Sequence, residues 1–569
     1  MTRRSFWRGC GAVVVAVAVG ACNRAPSDDA AAAGSHAHYT APESTAPNAD
    51  GQIAPRLQNL GSYTFPVSTK HKDAQLFINQ GLNLSYAFNH AESGRAFREA
   101  ARLDPSLAMA HWGQALVLGP NINAAMQPTD EAPAYAAIQK ANELKAGATP
   151  RERAFIEALS ARYSGKPEDR AARDQAYSDA MRKVATDYPD DLDAQVLYVE
   201  SVMDLRPWGY WMRDGRPHEG IAAAVAKIED VIAKMPAHPG ALHLYIHLLE
   251  SVQPGKAEAA ADRLQPLMPA AGHMVHMPAH IYQRVGRYAD AMKSNELAIA
   301  ADEDYITQCR AQGLYPMGYY PHNLHFLWFA ATFDGQGRVA IEAARKTASK
   351  VDPEALKSLP LLAAFKVVPY FALTRFGKWD EMLAEPAPAP GNAYLTGTYH
   401  YARGVALAAQ GRVADADREL ATVRKIAADK ALDAPLFSPN TAASVFAIAP
   451  EALAGEIALA RKQYDTAIGH FERAVRLEDG LVYTEPSEWH YPPRHALGAA
   501  LLAAGRASEA ETVYWDDLRR HPENGWALFG VVEALKAQKK TGMAAIVEAR
   551  LTAAWARADV QLASSRTAK

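Results

Sequence analysis

The chain has 569 residues, 49% hydrophobic and 22% charged, a globular composition with ample material for a core. Its 60 Lys+Arg nearly balance 63 Asp+Glu, for a formal charge of −3, and no basic run stands out. A nucleic-acid binder needs a phosphate-neutralising face, so no nucleic-acid partner is expected. Of three cysteines, Cys10 and Cys22 lie in the leader. Cys309 alone supports neither a disulfide framework nor a thiolate zinc site.

Residues 1–21 read as a signal peptide. Arg3, Arg4 and Arg8 form a basic start, and Gly11 to Ala21 is an apolar run too short to span a bilayer core of about 30 Å. The run ends Val19-Gly20-Ala21-Cys22 and resembles a bacterial lipobox, which implies cleavage before Cys22 and lipidation of its thiol. Asn23 in place of Asp at the next position points to the outer membrane. From Cys22 to residue 55 the chain is rich in Ala, Pro, Ser, Asp and Asn, the composition of a flexible tether. The lipid anchor is then the expected link to the membrane, because no second long apolar run follows.

Residues 56–569 alternate amphipathic helical segments with short turns. The turns recur as a small residue, a basic one, then an apolar or small one, as at Gly286-Arg287-Tyr288, Gly337-Arg338-Val339, Gly377-Lys378-Trp379, Gly411-Arg412-Val413 and Gly505-Arg506-Ala507. Gly377 and Gly411 are spaced at the period of about 34 residues of a tetratricopeptide (TPR) helix–turn–helix. The pattern is clearest over 74–105, 272–301, 395–428, 447–477 and 491–520. The predicted fold is an all-α, TPR-type α-solenoid of antiparallel helix pairs in a right-handed superhelix with irregular insertions.

Histidine is concentrated in one stretch. Residues 238–325 hold eight of the nineteen, where an even spread would give about three. In GALHLYIHLLE, His243 and His247 lie about 40° apart on a helix, with Glu250 on the same face. In GHMVHMPAHIY, His273, His276 and His280 form a second stripe, and Pro278 interrupts or starts that helix. His243 to His276 and His247 to His280 are both 33 residues, so one pair repeats a solenoid unit later and the four rings are expected to share an ion. A third helix begins at Pro321 with His322 and His325. The insert Ala301 to Tyr320, with its tyrosines, is placed to cover the site, and Trp208 and Trp211 are placed for another wall.

These residues resemble a widespread bacterial family of exported TPR proteins. Its features are F-N-H-x-E, W-G with G-P-N-x-N, H-x-Y-I-H and G-H-x-x-H-M-P-[AS]-H-I-[FY]. They match Phe88 to Glu92, Trp112-Gly113 with Gly119 to Asn123, His243 to His247 and Gly272 to Tyr282; Pro321 to His325 and Glu485-Pro486 with Trp489 also match. The resemblance covers about residues 70–505. It implies the fold and the set of positions, and leaves the reaction open.

The expected metal ligands are His243, His247, His273, His276, His280, His322 and His325 with Glu250. Such a set suits copper or zinc, or iron, and Met274 and Met277 favour copper. An enzyme built on it would be a metal-dependent hydrolase or oxidoreductase. The alternative is a non-catalytic adaptor whose concave groove binds an envelope protein or peptide, with the histidines as polar packing. His90 is read as structural, His238 as turn chemistry, Cys309 as a buried small residue, and Glu485, Glu488 and Trp489 as shaping a repeat insertion.

Overall fold

The computed structural model describes residues 51–309, 315–436 and 440–568; the leader, Cys22 and most of the tether lie outside them. Among the described residues the secondary structure is helical, with four isolated β-bridges and no strand. Successive helices pair through short turns: Lys72–Tyr86 with His90–Leu103, Ala393–Ala409 with Val413–Ala427, and Pro493–Ala503 with Ala507–Arg520. The all-α solenoid expected from the repeats is therefore present, and pairs that the pattern left unassigned, such as Gly525–Ala537 with Thr541–Ala554, continue it.

Side-chain caps and left-handed residues set the ends. Asn89 and Asn524 accept from backbone N–H groups three residues on, satisfying donors that a helix start leaves open. The chain reverses at Gly286, whose φ is +84°. A Cβ there would lie 2.6 Å from the Pro522 carbonyl oxygen, so glycine answers both a backbone and a packing demand. One turn differs from the expected pattern. Gly335 is the left-handed residue (φ +75°), while Gly337 opens the helix Gly337–Ser349, two residues beyond the chain reversal.

An open groove was expected, and the chain instead packs back on itself. Arg284 Nη1 donates to the Arg520 carbonyl and its guanidinium lies over the Tyr483 ring. Trp526 Nε1 donates to the Thr332 carbonyl at 2.8 Å. Asp559 accepts from the backbone N–H groups of Gly337 and Arg338. The C-terminal repeats thus cover the middle ones, and the histidine layer lies between them. Ala442–Ala460 is long and apolar enough to cross a membrane by length and composition, and 67% of it is buried within the fold, as for a core helix.

Candidate metal centre

Three consecutive repeats supply the histidines. Pro239 opens the helix Pro239–Leu249, with His238 as its cap: His238 Nδ1 accepts from Ala241 N at 3.3 Å, the turn role expected of it. His243 and His247 sit one turn apart on that helix. Gly272–His276 is a short helix that breaks at Met277, and Pro278 starts the next, Pro278–Val285. The break leaves His276 and His280 facing each other and places His273 within the first short helix. Tyr320–Phe333 carries His322 and His325.

His243, His247, His273, His276, His280 and Glu250 are all at most 2% exposed. Burial pushes the imidazoles down: His247 and His276 to about 3, and His243, His273 and His280 well below the usual range. The rings are neutral at pH 7, which is the ligating form.

Their orientation is fixed from behind. His243 Nδ1 lies 2.6 Å from the Tyr86 carbonyl oxygen, which can only accept, so that nitrogen carries the hydrogen. His276 Nδ1 lies 2.7 Å from Asn295 Oδ1, and Asn295 is held in this sense because its Nδ2 donates to the Ala291 carbonyl. Glu250 meets Nδ1 of His247 at 3.1 Å with one oxygen and Nδ1 of His280 at 2.7 Å with the other. The other nitrogens then face each other: Nε2 of His243 and His247 are 3.0 Å apart, and Nε2 of His276 and His280 are 2.7 Å apart.

Ligand atoms within 4.8 Å of one another form three sets: His243, His247 and His273; His276, His280 and His322; and His247, Glu250 and His280. His325 belongs to none of them. It stacks on Trp328 with the rings 4° from parallel and stands against Phe365, one turn away from His322. Among the described residues, His273 has no hydrogen-bond partner at either ring nitrogen.

The layer borders a cavity of about 130 Å³ whose wall includes His247, His273, His280, His322 and His325. Aromatic rings of Trp208, Tyr319, Trp328, Phe365, Phe371 and Tyr394 make up much of the rest. Trp208 thus forms the wall expected of it, standing 5.3 Å from the His247 ring. Trp211 is not in that wall; its Nε1 donates to the Leu248 carbonyl at 2.6 Å. The described residues of the insert do cover the site, and they are more regular than expected. They are helical through Cys309 and again over Tyr315–Tyr319, with Tyr319 4.9 Å from the His273 ring.

Glu485 is the residue that sequence reasoning left out of the chemistry. It contacts Nδ1 of His280 and lies beside Glu250, bringing a second buried carboxyl to the centre. Burial pushes both carboxyls well above the usual range, and the Glu250 charge adds to this for Glu485. The only sequence signal was Glu485-Pro486 in the resemblance. Cys309 is buried, its thiol pushed up to about 12 by burial and by Glu92, consistent with a packing role. His90 lies 3.4 Å from Asn121 Nδ2 and belongs to none of the three sets.

No protein-family model and no curated protein matches the chain. Among solved structures, a human IFIT1 dimer with m7Gppp-AAAA is 11% identical with a TM-score of 0.30, covering 85% of this chain and 91% of that one. The APC/C hetero-tetramer Cut9-Hcn1 is 12% identical with a TM-score of 0.28, covering 86% and 94%. Likeness at this level carries no argument about the chain, and its assignment as an α-solenoid rests on its own helix pairs.

Proposed function

We propose that this protein is an outer-membrane lipoprotein whose solenoid holds a metal centre in its histidine layer, beside a small aromatic cavity. The observation that carries the reading is the facing of Nε2 atoms across two histidine pairs whose Nδ1 atoms are engaged from behind. Two bare lone pairs at 2.7–3.0 Å repel. A cation bound by both, at the metal–nitrogen distance of about 2.0–2.1 Å usual for zinc, turns that repulsion into coordination. Carbonyl, amide and carboxylate partners behind ligating imidazoles are the common means of fixing tautomer and ring angle.

A metal-free network is the competing account. It needs protonated Glu250 and Glu485 to hand hydrogens to Nδ1 of His247 and His280, whose Nε2–H groups would then donate across each pair. Both carboxyls are indeed pushed up. That network leaves His273 idle, its two buried ring nitrogens lacking hydrogen-bond partners among the described residues, whereas coordination uses it. Neutral imidazole ligands favour zinc or copper, with iron next. A metal coordination position on the cavity side would serve hydrolysis or redox chemistry on a small molecule. The address rests on the leader and on Cys22.

Elemental analysis of full-length protein purified without an affinity tag tests the centre. Stoichiometric zinc or copper is expected, and none in the combined variant His243→Ala, His247→Ala, His276→Ala, His280→Ala. Wild-type protein that stays metal-free after incubation with both ions would sink the reading in favour of the adaptor.

A further inference from the structure

We infer that the histidine layer is two metal sites, each built by the same device one repeat apart. This rests on the metal-centre reading above and replaces a single shared ion with two. In each site a histidine pair spaced i, i+4 is completed by a histidine from the next repeat. His243 and His247 are completed by His273, and His276 and His280 by His322. No residue is shared between the two triads.

Their ring-centre separations nearly match, though the ring tilts differ, 48° within the first pair and 79° within the second. Within the pair, ring centres are 4.8 Å apart in the first triad and 4.6 Å in the second. From the first member to the added histidine the separation is 4.9 Å in both. From the second member it is 6.4 Å and 5.9 Å. One packed polar network would have no reason to repeat these distances, whereas two sites made by successive repeats would. A hydrophobic ring backs each triad as well: Phe88 lies 4.5 Å from His243, and Phe326 lies 4.7 Å from His276.

Three imidazoles on one side of an ion leave a coordination position free, the arrangement of catalytic rather than structural sites. His247 and His273 of one triad, and His280 and His322 of the other, line the cavity, so both ions would meet the same small space. Glu250 joins the triads from outside, engaging Nδ1 of the second pair member in each. The cavity, about 130 Å³, approaches the roughly 150 Å³ that holds a benzene. The ligand class is then water or a small molecule carrying an oxygen or nitrogen donor, seated across two ions.

Zinc loading of the metal-free full-length protein, followed by dialysis and elemental analysis, decides between one ion and two. Two equivalents are expected in the wild type, one in His273→Ala, one in His322→Ala and none in the double variant, with helicity checked by circular dichroism. One equivalent in the wild type, abolished by either substitution, overturns the two-site inference and leaves the metal-centre reading standing. No zinc or copper in folded wild type overturns both. The wild-type count alone settles the question if a variant fails to fold.

Discussion

Glu485 stands against Nδ1 of His280 beside Glu250, though it lies far from both in the chain, and both carboxyl side chains are at most 2% exposed. Two carboxylates in one buried site cannot both ionise cheaply, so the pair holds a proton at neutral pH. Glu485→Gln keeps an uncharged hydrogen-bonding group and is expected to leave the denaturation midpoint nearly unchanged. Glu485→Ala empties the space against Glu250 and His280 and is expected to cost about 1–3 kcal/mol. If the pair supports the ligands, Glu485→Gln still weakens metal affinity, by roughly tenfold or more in a chelator competition. Unchanged affinity would return Glu485 to a loop-shaping role.

The helix pairs were legible because apolar periodicity and a left-handed reversal are local properties, and Gly335 with Gly337 shows the resolution of that signal. The two histidine pairs were legible for the same reason: a spacing of four residues gives a shared face, along one helix for His243 and His247 and across the break at Met277 for His276 and His280. Spacing alone did not separate His322 from His325, which share a helix but face a histidine triad and the Trp328 ring respectively. Glu485, Asn295 and the Tyr86 carbonyl were out of reach, since each is brought to the centre by tertiary packing. The return of the C-terminal repeats has no local signature either, and it turns the expected groove into a buried layer.

Gly272 is the tightest backbone position at the centre. A Cβ there would sit 1.9 Å from Asp302 Oδ1 and 3.0 Å from the Ala298 carbonyl oxygen. Asp302 cannot swing away, because Tyr315 donates to one of its oxygens at 2.8 Å and Asn323 to the other at 2.7 Å. Gly272→Ala is expected to destabilise by about 1–3 kcal/mol and to lower metal content through His273. Gly542, in an exposed helix with nothing within 4 Å of its Cβ position, is the control. There the same change should be neutral or stabilise by up to about 1 kcal/mol. Equal effects at the two positions in urea denaturation would contradict the packing argument.

Cys22 is the proposed anchor point. Cys22→Ser keeps the small residues before it but removes the thiol that lipidation requires. The variant is expected in the soluble envelope fraction and without incorporation of labelled fatty acid, while the wild type sediments with membranes and takes up label. Unchanged fractionation and labelling would rule out lipidation at this residue.

His325 gives the stability of the protein a measurable pH dependence of known sign. The ring is 8% exposed between Trp328 and Phe365, and burial pushes it down to about 3. In the unfolded chain it titrates near 6.5, so between those values the unfolded state takes a proton that the folded state refuses. The folded state then loses about 1.4 kcal/mol per pH unit below roughly 6.5, and this loss is absent above it. His325→Phe keeps the ring contacts and cannot be protonated. Other titrating groups, including the buried carboxyls with the opposite trend, are common to both proteins and cancel in the difference. Between pH 7 and pH 5.5 the variant should gain about 1 kcal/mol on the wild type in urea denaturation of the metal-free proteins. A difference that does not change with pH would mean the ring is free to protonate in the fold.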